Sequence, residues 1–436
     1  MRNLAYFAVF GGLVTLVGVF QSWNVALGIL NLGLISAVMA LGVNIQWGYA
    51  GLLNVGVMGF AALGGLAAVL VSVPPVGEAW SAGGTGVFLG LALGALTIFM
   101  ATFAYRTLPP GRSRALAIAG IVIVGFFVTR IVFKPATAAV EDINSATSGF
   151  LGGLGLPIIL AWPVGGLLAG AAAWVVGKVA LGLRSDYLAI ATLGISEIIV
   201  AILKHEDWMS RGVKNVIGLE RPVPYEIDLQ NAPWFNDLAA RLGADVVQFS
   251  SIYVKLCYAG LFAIVLLIVL WLSEQALKSP WGRMMRAIRD NEVSAAAMGK
   301  DVTARHLQVF VLGSAVVGIA GAMLTTLDAQ LVPSSYQPLR FTFLIWVMVI
   351  LGGSGNNWGA VLGGFVVWYL WIMAEPIGEY IMQTITAGMA EDSPLREHLL
   401  DSAAHMRLMT MGIVLLLVLR FAPRGLIPER RVVGRH

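Results

Sequence analysis

FTFLIWVMVILGGSGNNWGAVLGGFVVWYLWIM, residues 341–373, is a long apolar run cut in its middle by LGGSGNNWGA at 351–360. A bilayer crossing needs about 20 consecutive apolar residues, and glycine, serine and asparagine together break a helix. The interruption leaves two pieces each too short to cross comfortably, which predicts a broken or re-entrant hairpin. Freed backbone groups at such a break are tolerated at membrane depth only where protein or a water-filled cavity meets them. The rest of the chain must therefore supply that surrounding.

Outward from the break, apolar windows recur in both directions. Helices are expected at 4–20, 26–45, 51–71, 87–105, 116–133, 157–178, 187–203, 251–273 and 307–327, with a last one at 405–421. Of 436 residues, 58% are hydrophobic and 12% charged, against about 25% charged in a soluble domain. These features define the fold class as an all-α polytopic membrane protein, with about 10 transmembrane helices plus the broken hairpin in a single domain over 1–436. The first window follows Arg2 but lacks a small-residue cleavage site, so it reads as an uncleaved helix. The single cysteine, Cys257, excludes an intramolecular disulfide and reads as a small packed residue.

Charge orients the spans. Arg106, Arg112 and Arg114, then Lys178 and Arg184, then 278–305, then the tail RFAPRGLIPERRVVGRH all fall on one side when sides alternate. An excess of Lys and Arg in short loops marks the cytoplasm, which puts both termini there. The opposite side receives 134–156 and the segment 204–250, which has five Lys or Arg against seven acids. One faint internal echo links NIQWGYAGLLNVG at 44–56 with GNNWGAVLGG at 355–364. Repeats with broken helices are a transporter plan, and Gly-rich membrane sequence also produces such echoes by chance.

The densest charge lies in SPWGRMMRAIRDNEVSAAAMGKDV, 279–302. Ser279 and Pro280 start a helix and Gly299 ends it. On a single helical wheel Trp281, Met284, Met285, Ile288 and Ala295 share one arc, Arg283, Arg286 and Arg289 another, and Glu292 is the one charge on the apolar side. A helix lying among lipid headgroups accounts for the arginines. A protein partner that meets Glu292 with donors accounts for the exception as well.

AIRDNEVSAAAMGKDV (287–302) resembles the cytoplasmic loop of ABC-importer permeases, which ends in a Gly and docks on the ATP-hydrolysing subunit. LGVNIQWGYAGLLNVGVMGF (41–60), SDYLAIATLGISEII (185–199), VMVILGGSGNNWGAVLGG (347–364) and RFAPRGLIPERR (420–431) extend the likeness. Together they resemble the M-type (LivM-like) permeases of branched-chain amino acid ABC importers. Asn54 and Val57–Met58 stand where relatives often have Ser and His-Ala, and 73–156 and 374–404 match weakly. The resemblance implies the ABC-importer permease fold, in the cytoplasmic (inner) membrane of a bacterium. The implied partners are a second homologous permease, two cytoplasmic ABC ATPase subunits, and a periplasmic or extracellular solute-binding protein, with no nucleic acid. It also implies ATPase docking by Arg283, Arg286, Ile288, Glu292, Ala295, Ala296 and Gly299.

For the solute pathway the candidates are Asn44, Thr192, Glu197, Gly352, Gly353 and Gly355. A carboxylate such as Glu197 at membrane depth marks a pathway or a buried partner, while near a helix end it can also reach water. Glycines at a break either expose backbone to a solute or serve close packing. Asn44, Gln46, Asn356 and Asn357 flank the breaks as polar lining or helix caps, and capping is the preferred reading. Asp328, Glu375 and Glu379 lie at expected helix ends and read as solvated. GVKNVIGLERPVP at 212–224 is either a surface near the binding protein or a plain solvated loop.

GK at 177–178 and 299–300 is not followed by Ser or Thr, so no Walker A loop exists and no cofactor is expected; ATP belongs to the partners. The five histidines and one cysteine show no metal or nucleophile spacing, so no enzyme and no metal site is expected. Three rival readings are a urea or short-amide importer permease, an ion-coupled carrier working alone, and an intramembrane enzyme. A lone carrier should place paired acids or histidines at mid-membrane, which this chain does not do.

Overall fold

A computed structural model of the chain describes residues 2–144, 148–389 and 393–429. The end of the tail, 430–436, lies outside the described residues, as do 145–147 of the 134–156 loop. The helices run in chain order as α1 (Arg2–Phe20), α2 (Trp23–Val43), α3 (Val57–Ser72), α4 (Thr85–Thr107), α5 (Arg112–Glu141), α6 (Ala161–Ala180) and α7 (Ser185–His205). They continue as α8 (Val246–Lys278), α9 (Pro280–Asp290), α10 (Glu292–Ala297), α11 (Val302–Asp328), α12 (Pro338–Gly352), α13 (Asn357–Thr386) and α14 (Met406–Phe421). Among the described residues eight helices are long and apolar enough to cross a membrane, and Leu4–Phe20, Val57–Ser72 and Pro338–Gly352 are shorter apolar helices. Pro394–Asp401 and α14 form a further apolar pair bent by 62°. The chain is an all-α multi-pass membrane protein.

The centre is a close packing of α2, α3, α6 and α11. Lipid tails are as apolar as leucine, so helices in a bilayer associate by fitting small residues against one another rather than by escaping water. Gly64 of α3 lies against the Gly318 carbonyl of α11, Gly321 of α11 against the Ala61 carbonyl of α3, and Gly165 of α6 against both strips. A Cβ on Gly64 or Gly321 would overlap backbone. By contrast, α4 and α5 pack on each other at the edge, and none of the most apolar window of α5 is buried. Phe99, Ile123, Leu267 and Leu416 are more than half exposed. Apolar surface on that scale is what a bilayer covers.

The loops 108–111, 181–184 and 279–301 share one end of the bundle with the described part of the tail, 422–429. At the opposite end, β1 (Val216–Ile217) pairs antiparallel with β2 (Gln330–Leu331), in the register Val216 to Leu331 and Ile217 to Gln330. The segment between α7 and α8 holds short helices at Asp207–Ser210, Glu226–Asn231 and Pro233–Leu242, the last ended by Gly243 at φ 63°. Phe235 is fully buried and stacks on Phe249 of α8 at 4.9 Å, which fastens this segment to the bundle.

Three sequence expectations change. Residues 51–56 do not extend α3: α2 ends in a π-helical turn at Asn44–Gly48, Gly51 takes φ 71°, and the Gly56 N–H donates to Asn54 Oδ1 at 2.9 Å. The helix expected at 116–133 runs to Glu141 with Pro135 inside it. The interrupted run is also not two short pieces. Only α12, at 15 residues, is short, whereas α13 has 30, which at 1.5 Å per residue gives about 45 Å. Glu375 and Glu379 were expected at helix ends and solvated, yet α13 runs past both with Pro376 inside it, and Glu375 pairs with Arg407 of α14.

Candidate functional site

Where α8 ends at the basic end, Ser279 has extended backbone and its Oγ accepts from the Gly282 N–H at 3.4 Å, starting α9. Met285 and Ile288 are buried and hold α9 against the bundle. Arg283 Nη1 and Arg286 Nη2 donate to the carbonyls of Lys278 and Leu277 at 3.2 and 3.3 Å. Both carbonyls lie in the last turn of α8, where unsatisfied acceptors and the negative dipole end favour cations.

The single helix expected over 279–299 is two. Asn291, with φ −158° and ψ 97°, ends α9, and its Oδ1 accepts from the Ser294 N–H at 2.9 Å to start α10. Glu292 therefore occupies an exposed first turn, favoured by the helix dipole. It does not face the apolar side, because the turn at Asn291 restarts the helical phase. Ala295 is buried and Ala296 exposed, while Val293 and Met298 are each 79% exposed, so α10 offers an apolar outer face. Gly299, at φ 76°, closes it with its N–H on Ala296 O at 2.9 Å.

Arg289 binds this pair to the bundle. Its Nη1 donates to the carbonyl of Gly48, at the end of the π turn, and its Nη2 lies 3.0 Å from Glu429 Oε2. Both side chains are about four-fifths covered, at 21% and 18% exposure. Gly355, at φ 79°, packs directly against them, where a Cβ would lie 2.9 Å from Glu429 Oε2. The tail then pairs with the break: the N–H of Leu426 donates to Leu351 O at 2.8 Å and that of Ile427 to Gly352 O at 2.9 Å. Gly353 (φ 116°) touches the backbone of the same tail.

Behind the break is a buried polar brace. Asn44 Nδ2 donates to Tyr49 Oη and to Asn357 Oδ1, each at 3.2 Å, and Asn44 Oδ1 accepts the Gly355 N–H at 2.9 Å. Tyr49 Oη donates to Asn357 Oδ1, and Asn357 Nδ2 reaches Glu274 of α8 at 3.1 Å. The two segments that echo in sequence thus meet in space. Of the asparagines, Asn356 is a cap, accepting from Trp358 N and Gly359 N, whereas Asn44 and Asn357 cross-link helices. Gln46 ties to α11 through Phe310 O at 2.9 Å and Ser314 Oγ at 3.0 Å. Asn44→Leu strands the Gly355 N–H and an acceptor position on Asn357, and should cost about 1–3 kcal/mol, read as a lowered Tm of the purified chain in detergent.

The structure thus gathers Asn44, Gly352, Gly353 and Gly355 at one junction beside Arg289. Thr192 lies apart, buried, with its Oγ1 accepting the Val55 N–H at 3.1 Å. Glu197 is not among its partners and stands on an exposed face of α7 with Ile190, Gly194 and Ile198. Among the described residues no group of three His, Cys, Asp or Glu could hold a metal ion. Sequence reasoning missed Arg289 and Glu429 as a pair. They are far apart in the chain, so no spacing rule joins them.

Fold and site define an integral membrane protein whose broken helix pair is locked to a cationic appendage at one end. The family model described as branched-chain amino acid transport system / permease component matches residues 113–419, and the chain belongs to that family of transport permeases. It is 26% identical over 333 residues to the probable branched-chain amino acid transport permease protein LivM of Methanocaldococcus jannaschii, covering 73% of this chain and 83% of that one. It is 24% identical over 346 residues to the high-affinity branched-chain amino acid transport system permease protein LivM of Escherichia coli, covering 78% and 71%. A shorter likeness, 29% over 104 residues, covers 24% of this chain and 32% of the M. jannaschii probable permease protein LivH. No solved structure shows a significant match.

Proposed function

We propose that the chain is a permease subunit of an ATP-driven importer for branched-chain or related neutral amino acids, in the cytoplasmic membrane with its basic end inside. It pairs with a second, similar permease, and two cytoplasmic ATPases dock on α9 and α10 while a solute-binding protein docks at the opposite end. The observation that carries this reading is the Arg289 joint, which connects the exposed α9–α10 pair to the π turn, the 353–356 break and the tail at once. A ligand moves an equilibrium only by binding its states unequally. Nucleotide-bound and nucleotide-free ATPases pressing differently on Val293, Glu292 and Met298 satisfy that requirement, and Arg289 passes the displacement into the bundle. Arg283, Arg286, Ile288, Ala295, Ala296 and Gly299 shape the docking surface. The chain contributes no covalent chemistry, and ATP is bound by its partners.

The pathway runs between the two permeases along the exposed face of α7 that carries Glu197, with Thr192 fixing that helix to the 51–56 segment. The glycines 352, 353 and 355 and Asn44 form the hinge that opens it. Cells lacking their own systems and expressing the assembled importer should take up labelled leucine and not urea. Urea uptake without leucine uptake would move the protein to the short-amide importers, and uptake by the chain alone on an ion gradient would refute the reading. Glu292→Lys, which reverses a charge at the dock, and Gly299→Leu, which forces a branched side chain into φ 76°, should each lower uptake at least about tenfold. Pull-down of the second permease should be unchanged in both.

A further inference from the structure

A cavity of about 310 Å³ opens at the end of the bundle opposite α9–α10, between α2, α3, α11, α12 and α13. Its size is at the low end of the roughly 300–1,000 Å³ range of small-molecule sites, which suits a single amino acid rather than a drug-sized solute. Its lining is graded. Asp328, Gln330 and Ser335 line it and are exposed, forming the mouth, while Met58, Ile345 and Met348 line it and are buried, forming the floor. Between them the hydroxyls of Thr325 and Tyr336 bond to each other at 2.8 Å and so present little unmet polarity to the interior.

Three features point to an occupant. The Asp328 carboxylate makes no ion pair or hydrogen bond among the described residues, although it ends a helix in a largely apolar wall. The indole N–H of Trp368, another lining residue, is buried without an acceptor. Gln330, at the mouth, is itself the β2 residue paired with Ile217, so the segment between α7 and α8 borders the opening. An unmatched anion and amide and hydroxyl donors at the rim, above a methionine and isoleucine floor, form an amphipathic site. A flexible thioether adapts to branched shapes.

We propose that this cavity is an outer-side binding site for a zwitterionic α-amino acid with a branched apolar side chain, held with its ammonium on Asp328. The side chain rests on Met58, Ile345 and Met348, and the carboxylate is met by Ser335 and Gln330. This rests on the transport reading above and places a solute station inside one subunit, at the outer end of the bundle. Urea, polar on every side, gains nothing from that floor. An acyl chain would fill the floor and leave the carboxylate without a counter-charge.

The test uses the complete importer with its partner subunits in nanodiscs and proteoliposomes. Photo-leucine, a diazirine analogue, should label peptides containing Met58 or Ile345–Met348, and excess leucine should suppress the labelling. Asp328→Asn should raise the KM for leucine uptake about tenfold or more, the loss expected for one charged hydrogen bond. Met58→Phe should raise KM for leucine and isoleucine more than for alanine, a size dependence that general destabilisation does not produce. If the parent complex imports leucine while both variants keep its KM and photo-leucine labels nothing in the cavity, this site is wrong and the transport reading stands. Labelling by a photoactivatable acyl lipid that leucine does not displace overturns it equally. A parent complex that takes up no leucine refutes the transport reading itself.

Discussion

Arg289→Ala should leave the proposed importer hydrolysing ATP while uptake per ATP falls about ten- to hundredfold, the equivalent of the roughly 1.5–3 kcal/mol that a charged hydrogen bond supplies. The guanidinium serves the Gly48 carbonyl and the Glu429 carboxylate together. Alanine removes both contacts, along with the 3.2 Å contact of Nε to the exposed Asp290, and leaves the covered Glu429 carboxylate without a counter-charge, which costs more than the lost attraction alone. Because the α9 contacts of Met285 and Ile288 remain, the proposed docking surface keeps its footing on the bundle. On the proposed reading the α9–α10 pair is then a lever no longer joined to the break. Arg289→Lys should fall between, since an ammonium lacks the planar fork that reaches two acceptors. Proteoliposomes assayed in parallel for phosphate release and labelled leucine entry separate the two quantities. Equal loss of both would assign Arg289 to docking, and loss of neither would remove the joint from the mechanism.

Gly321→Val should prevent the bundle from forming at all. The position faces the Ala61 carbonyl at the crossing of α3 and α11, and backbone cannot move aside as a side-chain tip can. Overpacking ordinarily costs about 1–3 kcal/mol, and here both helices would have to separate along a seam that also holds Gly64, Gly165 and Gly318. The penalty should exceed about 3 kcal/mol. The measurement is the yield of monodisperse protein after detergent extraction, with Tm on whatever survives. Gly120→Val on α5, where nothing lies within 4 Å, is the matched control and should behave as the parent. A monodisperse Gly321→Val with the parent's Tm would mean that the crossing is looser than described.

The helices were legible because bilayer crossing imposes a length and composition that each window displays locally. Their ends were less so: Glu375 was read as a solvated end residue, whereas α13 runs on past it and Pro376, and Glu375 pairs with the distant Arg407. The α9–α10 stretch announced itself by charge, yet Asn291 was read as one more helical residue. Its side-chain oxygen on Ser294 N splits the helix and moves Glu292 to a different face. The break at 351–360 was visible from its glycines, whereas the partners that fill it come from residues 44, 274, 289 and 426–429. Contacts across such separations leave no periodicity to read. Asn356 caps as expected, and its neighbour Asn357 cross-links, a difference set by burial rather than by residue type.

The pairing of Leu426 and Ile427 with the backbone of Leu351 and Gly352, together with Glu429 on Arg289, has a consequence for biosynthesis. Translation adds roughly 5–20 residues per second, so the π turn at Asn44–Gly48 waits on the order of a minute before the strap that secures it leaves the ribosome. A nascent chain stopped short of residue 426 would insert its spans and still lack the clasp, leaving the Leu351 and Gly352 carbonyls without their tail donors and Arg289 without its Glu429 partner.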